Sequence, residues 1–133
     1  MAKLKDQSAD RLAEYFVEYL FKHYGGSRHV RRVAAWIGLV ILGIQRGAGK
    51  NWHIQRSRQL WFHHGNRIFK VKYDHHVGGK AGGGIEIVEV LPGKGSPDGE
   101  SVAQMRDLAE AEQFYNQAPV LFNKLAKHTN AAG

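Results

Sequence analysis

Two helical patterns of hydrophobic residues occupy the first third of the chain. One apolar stripe recurs at steps of three and four residues: Leu12, Phe16, Tyr19, Leu20 and His23. This periodicity predicts an amphipathic helix from Ser8 to Tyr24, capped by the Ser8 hydroxyl and ended by Gly25-Gly26. A second helix is predicted from the cap Ser27 to about Ile44. Because most of its positions are apolar, we expect this helix at the centre of the core.

Alternating hydrophobicity from Arg58 to Tyr73 predicts a β-hairpin that is closed by the two-residue turn Gly65-Asn66. When His64 pairs with Arg67, one apolar set faces the core: Leu60, Phe62, Phe69, Val71 and Tyr73. The opposite, outer face then carries Trp61, His63, Ile68, Lys70, Lys72 and Asp74. Because a slip of one residue would expose the apolar set, the pattern specifies this register.

A third strand is predicted from Ile85 to Leu91, with apolar residues on both faces. Its pairing with the second hairpin strand stays open by one residue. Glu89 lies either opposite Lys72 on the outer face or opposite Val71 in the core. We expect the first arrangement, because burying an unpaired carboxylate is costly.

Glycine, proline and polar residues mark the connections between these elements. Loops are predicted over residues 45–57, 77–84 and 92–99, followed by a short edge strand at Val102–Met105. Asp107 is predicted to cap a helix, with Glu110 completing a capping box, and another helix follows Pro119.

This order of elements predicts one α+β domain spanning residues 1–133, with residues 1–7 and 129–133 frayed. Two N-terminal helices precede a three- to four-stranded antiparallel sheet, and two C-terminal helices follow it.

Composition excludes several classes of protein. The 133 residues are 43% hydrophobic and 23% charged, as in globular domains, and they include no cysteine. Disulfide frameworks, thiolate zinc sites and cysteine nucleophiles are therefore excluded. The N-terminus lacks the apolar core of a signal peptide, and the longest apolar run, Val33–Ile44, is shorter than the roughly twenty residues of a membrane span. We expect a cytoplasmic protein with no membrane partner.

The net charge of +7 is distributed very unevenly along the chain. Residues 28–80 hold eleven basic residues, a single acid, Asp74, all three tryptophans and six of the eight histidines. Residues 1–27 are neutral overall and residues 86–133 carry a net charge of −3. Cations and aromatic rings that are concentrated in one segment favour binding to nucleic acid or another polyanion, DNA or RNA being undetermined.

The candidate contacts to nucleic acid are the cationic, aromatic and imidazole side chains of this basic segment: Arg28, Arg31, Arg32, Lys50, Arg58, Trp61, His63, Lys70 and Lys72. The first three arginines fall in the opening turns of the second helix, where the helix dipole disfavours cations. A bound phosphate would account for that placement.

Metal and nucleotide sites are weakly indicated. Strand alternation allows only His63, Asp74 and His76 on one face, and about 20 Å of strand separates His63 from Asp74. The run from Gly43 to Gly49-Lys50 departs from a phosphate-binding P-loop, because it has one residue too many and lacks the following Ser or Thr. We therefore expect no metal and no cofactor.

The main alternative function is a small nuclease, so the sequence leaves open whether the protein is an enzyme. Asp74 and Glu86, with Glu89 nearby, are carboxylates of the type that hold magnesium in metal-dependent nucleases. The run from Asn66 to Asp74 is also loosely similar to a strand of small basic ribonucleases of the bacterial toxin type. That similarity implies metal-free cleavage by side chains that act as acid, base or phosphate clamp: His63, His64, Arg67 and Tyr73.

A further alternative is an oligomerisation or scaffold module. In that case the acidic C-terminal helices of one subunit would meet the basic middle segment of another.

Overall fold

Three helices and six strands follow one another in the computed structural model, which describes residues 2–3, 5–54, 59–74 and 83–129. They are, in chain order, β1 (Ala2–Lys3), α1 (Ala9–Tyr24), α2 (Arg28–Ala48), β2 (Trp52–Ile54), β3 (Leu60–His64), β4 (Arg67–Asp74), β5 (Gly84–Val90), β6 (Asp98–Met105) and α3 (Leu108–Thr129). The strands form one antiparallel sheet in the order β1 to β6. The predicted α+β class is confirmed, although the numbers of helices and strands differ from the prediction.

The first two helices begin at the predicted caps. The backbone N–H groups of Arg11 and Val30 donate to the Ser8 and Ser27 hydroxyls, each at 3.3 Å. Gly25 ends α1 with a φ of 74°, a conformation that favours glycine. Leu12, Phe16 and Leu20 of the predicted α1 stripe are buried, whereas Tyr19 is half-buried and His23 is exposed. Eight residues of α2 are buried. None of the described helices is long and apolar enough to cross a membrane.

The predicted loop over residues 45–57 is wrong in part. Helix α2 continues to Ala48, where the Gln45 side chain donates to the Gln7 carbonyl oxygen at 2.6 Å. Trp52 is fully buried in β2, which pairs with β3, and its ring lies 5.1 Å from that of Phe62. These tertiary contacts outweigh the local preference of the glycine-rich sequence for a loop. Residues 55–58 lie outside the described part of the chain.

The N-terminal segment also takes part in the fold. Strand β1 pairs with His53 and Ile54, and the Gln7 side chain accepts a hydrogen bond of 3.0 Å from the Trp52 backbone. Fraying is also predicted for residues 129–133. Of these, residues 130–133 lie outside the part of the chain that the structure describes.

The hairpin register is confirmed. His64 pairs with Arg67, Phe62 with Phe69, and Leu60 with Val71, so the predicted apolar face belongs to the core that the helices cover. The expected position of Glu89 opposite Lys72 is wrong. Glu89 lies opposite Phe69 on the helix-covered face, and Glu86 lies opposite Lys72.

The carboxylate of Glu89 is tolerated on that face because it is paired with Arg67. Arg67 donates to both of its oxygens, at 2.7 and 2.8 Å, from the end of the same face. The burial cost that favoured the other register is therefore offset by a bidentate ion pair.

The C-terminal region forms one helix where two were predicted. Helix α3 runs through Pro119 because a single buried stripe continues across the proline: Ala111, Phe114, Ala118 and Phe122. Asp107 caps the helix as predicted, accepting from the Glu110 backbone at 2.9 Å. The Glu110 carboxylate reaches back to the Arg106 backbone and guanidinium. Strand β6 is also longer than the predicted edge strand, since its pairing with β5 begins at Asp98.

Helices α2 and α3 approach each other unusually closely at two glycines. A Cβ atom on Gly47 would lie 2.6 Å from the Ala118 carbonyl oxygen and 2.6 Å from Phe122 Cδ2. A Cβ on Gly43 would lie 2.8 Å from Phe114 Cε2. Both glycines are therefore required by packing, because no larger residue fits without separating the helices.

We expect Gly47→Ala to lower the free energy of unfolding by about 1–3 kcal/mol, since the added methyl group overpacks this contact. Gly38→Ala is the matched control in the same helix, because its Cβ would meet only Ala13 Cβ, at 4.0 Å. The control should be neutral or stabilising by up to about 1 kcal/mol, as alanine favours helix. Urea denaturation measures both values, and equal effects would refute the packing explanation.

Candidate nucleic-acid interface

The two lysines on the outer face of the sheet share one carboxylate. Lys72 Nζ lies 2.8 Å from Asp98 Oδ2, and Lys70 Nζ contacts Asp98 Oδ1. Burial raises the pKa of Asp98, but hydrogen bonds from both lysines outweigh this and hold it below its usual value. Glu86 lies opposite Lys72 as well. The positive charge of this face is therefore largely neutralised within the protein.

Trp61 lies beside these lysines and offers little surface to a ligand. It is opposite Lys70, is only 9% exposed, and donates from Nε1 to Gln59 Oε1 at 3.1 Å. Its ring does not belong to the core cluster that the helices cover. Stacking on a base needs an accessible ring face, which this burial restricts.

The ring of His63 packs against that of a second histidine, His53. The rings of His53 and His63 are 4.6 Å apart and meet edge to face. Among the described residues, the buried Nε2 of His63 has no hydrogen-bond partner. The pairing was missed because His53 fell in the predicted loop and not in a strand.

Three of the proposed ribonuclease side chains are engaged in packing. His64 Nε2 lies 2.7 Å from the Phe122 carbonyl oxygen, and Arg67 donates to the Leu125 carbonyl oxygen at 3.1 Å besides binding Glu89. Tyr73 is 5% exposed, and burial raises the pKa of its hydroxyl. These contacts join the tip of the hairpin to α3 and place Tyr73 in the core.

The carboxylates of the proposed metal-dependent site share the outer face. Asp74 lies opposite Gly84, and Glu86 lies opposite Lys72 and accepts from Gln104 at 2.9 Å. Across residues 2–3, 5–54, 59–74 and 83–129, no three His, Asp or Glu side chains are grouped so that they could hold a metal ion. His76 lies outside these residues.

The remaining predicted cations lie near the two ends of α2. Arg28, Arg31 and Arg32 open the helix, and Lys50 follows its other end. A helix of 21 residues is about 30 Å long, so these two sites are far apart. Arg58 lies outside the described residues. The basic segment is therefore divided among the two ends of α2 and the outer face of the sheet.

The junction of the first two helices combines exposed cations with exposed aromatic rings. This junction, residues 21–32, is called the α1–α2 corner below. Lys22, Arg28 and Arg31 are exposed, and in the described part of the chain none of them forms an ion pair. Phe21 is 41% exposed and Tyr24 37%, so part of each ring is accessible to a ligand.

An aromatic ring and a guanidinium both lie beside Gly26 at the turn of this corner. A Cβ atom on Gly26 would lie 3.7 Å from Arg31 Nη2 and 3.9 Å from Phe21 Cε1. The corner is also anchored to the sheet, since the Tyr24 and Tyr73 rings are 4.9 Å apart. Arg32 donates to the Arg106 carbonyl oxygen at 3.2 Å. The exposed side chains of the corner are therefore attached to backbone that packs against the rest of the fold.

Sequence reasoning identified the arginines of the corner but not its aromatic residues. Phe21 lies off the apolar stripe of α1, and that displacement was the available signal that its ring would be exposed. The neutralising role of Asp98 had no comparable signal, because it depends on the pairing of β6 with β5.

No protein-family model matches the chain, and no curated protein or solved structure matches it significantly. Inference about function therefore depends on the chemistry of the described residues.

The Arg67–Glu89 pair predicts a dependence of stability on pH. Its hydrogen bonds hold the pKa of Glu89 below the ordinary value of 4.5. The pair therefore stabilises the fold above that value, and its contribution is lost as the pH falls through the lowered pKa. We expect Glu89→Gln to cost about 2 kcal/mol at neutral pH, and much less in acid. Thermal denaturation across this pH range measures the difference.

Glu112→Gln, at an exposed position of α3, is the matched control. It should leave stability nearly unchanged at every pH. A loss for Glu89→Gln that is as large in acid as at neutrality would contradict this role of the ion pair.

Proposed function

We propose that this protein binds single-stranded nucleic acid through the α1–α2 corner. The observation that carries the proposal is the presence there of exposed, unpaired cations beside exposed aromatic rings. Lys22, Arg28 and Arg31 would neutralise phosphates, while Phe21 and Tyr24 would stack on bases.

The charge distribution around the corner supports this location. The sequence has no acidic residue between Glu18 and Asp74, so the corner itself, residues 21–32, contains no carboxylate. The first turn of α2 has no acidic residue, and its N-terminal N–H groups add positive potential. An anion placed there gains from the side chains and from the helix terminus together.

The outer face of the sheet fits an anionic ligand less well. A phosphate that approached Lys70 or Lys72 would compete with Asp98, which already binds both. Displacing a carboxylate from a paired ammonium group recovers little free energy. For this reason we place the principal contact at the corner and not on the hairpin.

Single strands suit the corner better than a duplex because its rings are accessible at an exposed turn. Stacking contributes about 1–3 kcal/mol per base and tolerates any base, so we expect little sequence preference. With about three phosphate contacts, log K should fall with log salt concentration with a slope near −2.

The direct test compares two double variants that remove the same charge. Arg28→Gln/Arg31→Gln removes two of the three candidate phosphate contacts at the corner, whereas Lys5→Gln/Lys94→Gln removes two exposed cations elsewhere. In fluorescence polarisation with a labelled oligonucleotide at low salt, the corner variant should lose about tenfold or more in affinity, and its salt slope should shrink by about 1.4. The control variant should change affinity only a few-fold.

Equal losses in the two variants would show that binding follows net charge alone and would refute the site. A wild-type protein with no salt-sensitive binding would refute the function. Phe21→Ala adds an independent measure, since loss of one stacked ring should weaken binding by about 1–3 kcal/mol.

The nuclease alternative is tested in the same mixture by following the length of the oligonucleotide with magnesium or with chelator. Cleavage that survives the chelator would favour the toxin-like chemistry, and cleavage that the chelator abolishes would favour Asp74 and Glu86. We expect an intact oligonucleotide, because His64 and Arg67 are engaged by α3 and Tyr73 is buried.

A further inference from the structure

A pocket of about 230 Å³ lies where the β3–β4 hairpin meets the loop between β5 and β6. This cavity is called the hairpin pocket below. Trp61, Ile68 and Val90 line it from the outer face of the sheet. Leu91 and Pro92 line it from the loop. Because these five side chains are mainly apolar, the hairpin pocket favours a ligand that is largely apolar itself.

The apolar residues of the hairpin pocket lie outside the core that the helices cover. Trp61 is 9% exposed and Val90 6%, yet neither belongs to that core. Leu91 remains 39% exposed although it lines the pocket. A ligand in the pocket would remove part of this apolar surface from water, which is favourable.

The two charged residues of the hairpin pocket neutralise each other. Arg67 donates to both carboxylate oxygens of Glu89, at 2.7 and 2.8 Å, and both residues line the pocket. An ionised ligand would lose its hydration without gaining a free counter-charge, because displacing one member of a bidentate pair recovers little free energy. The pocket therefore favours an uncharged ligand.

Two polar side chains of the hairpin pocket are available to a ligand. In the described parts of the chain, neither the Asn66 amide nor the Ser96 hydroxyl has a hydrogen-bond partner. The amide offers two donor hydrogens and an acceptor oxygen, and the hydroxyl can donate or accept. A few polar groups in a mainly apolar pocket orient a ligand that carries a matching donor and acceptor.

Ser96 has a backbone conformation that serine rarely adopts. Its φ of 46° is the single positive value among the described residues other than glycine. The Ser96 N–H donates to the Gly93 carbonyl oxygen at 3.1 Å, so the conformation belongs to a hydrogen-bonded turn. Glycine would adopt this φ at lower cost. A side chain here is therefore costly, and binding of a ligand by the hydroxyl would account for it.

We propose that the hairpin pocket binds a small, uncharged aromatic molecule that carries a hydrogen-bond donor and an acceptor. An apolar cavity of about 150 Å³ holds benzene, so this pocket admits one ring with a polar substituent. Trp61 favours an aromatic ligand, because ring pairs are stable edge to face, and a mostly buried ring can make such a contact. The polar substituent would bind Asn66 and Ser96.

Benzamide is the probe for the first experiment, because its single ring carries an amide with a donor and an acceptor. Benzoate has nearly the same shape but is anionic at neutral pH, so it tests the preference for an uncharged ligand. In an NMR titration, we expect benzamide to give saturable shifts at Ile68, Val90, Ser96 and the Asn66 side-chain amide. Benzoate should bind several-fold more weakly, although the chain carries a net charge of +7.

Asn66→Asp tests the polar contact. It preserves the shape of the side chain, and the hairpin turn tolerates aspartate, so the fold should be retained. Benzamide affinity should fall several-fold, because the donor amide is replaced by a carboxylate. Asn123→Asp is the matched control, since it makes the same change at an exposed position of α3 that does not line the pocket. The control should leave the affinity unchanged.

Ser96→Gly separates binding from folding. Because glycine accommodates a φ of 46°, the melting temperature should be unchanged or higher. Benzamide affinity should nevertheless fall several-fold, since the hydroxyl is lost. Lys94→Gln is the control in the same loop, because Lys94 is exposed and does not line the pocket. It should change neither quantity.

Benzamide shifts that fail to saturate, or that fall outside the hairpin pocket, would overturn the proposal. Equal affinities for benzamide and benzoate would overturn it as well. So would equal effects of Asn66→Asp and Asn123→Asp, or an unchanged affinity in Ser96→Gly. None of these results bears on the α1–α2 corner, which shares no residue with the pocket.

Discussion

The close contact between α2 and α3 fixes the positions of both helices and of the hairpin beneath them. Gly43 and Gly47 let α3 approach α2 until Phe114, Ala118 and Phe122 fill the space between them. The Phe122 ring then lies about 6 Å from those of Phe62 and Phe69, so the same contact fixes the helices on the hairpin. Since interiors are close-packed, a small separation of the two helices would disturb all three elements.

This arrangement determines where the positive charge of the chain becomes accessible. With α2 buried along most of its length, its cations are confined to its two ends and its exposed stripe. The lysines of the hairpin point away from the helices and meet Asp98, while Arg67 meets Glu89. Among the described residues, Lys22, Arg28 and Arg31 of the α1–α2 corner form no ion pair, so these three cations are available to a ligand.

The sequence was most informative where short-range physics decides the structure. The helix caps at Ser8 and Ser27 and the hairpin register follow from side chains within a few residues of one another. Prediction failed where distant partners compensate a local penalty: Arg67 makes Glu89 tolerable on the core face, and a continuous stripe carries α3 through Pro119. The arginines of the corner could be predicted from the sequence. Which cations pair with a carboxylate could not, because Asp98 reaches Lys70 and Lys72 only when β6 pairs with β5.

We propose that an anionic ligand binds at Lys22, Arg28, Arg31 and the exposed rings of the α1–α2 corner, and not on the basic hairpin. Backbone amide chemical shifts recorded by NMR during titration with a short single-stranded oligonucleotide test it most directly. We expect the largest changes between Phe21 and Arg32, with small ones at Trp61, Lys70 and Lys72. Changes concentrated on the hairpin strands, with the corner unaffected, would contradict it.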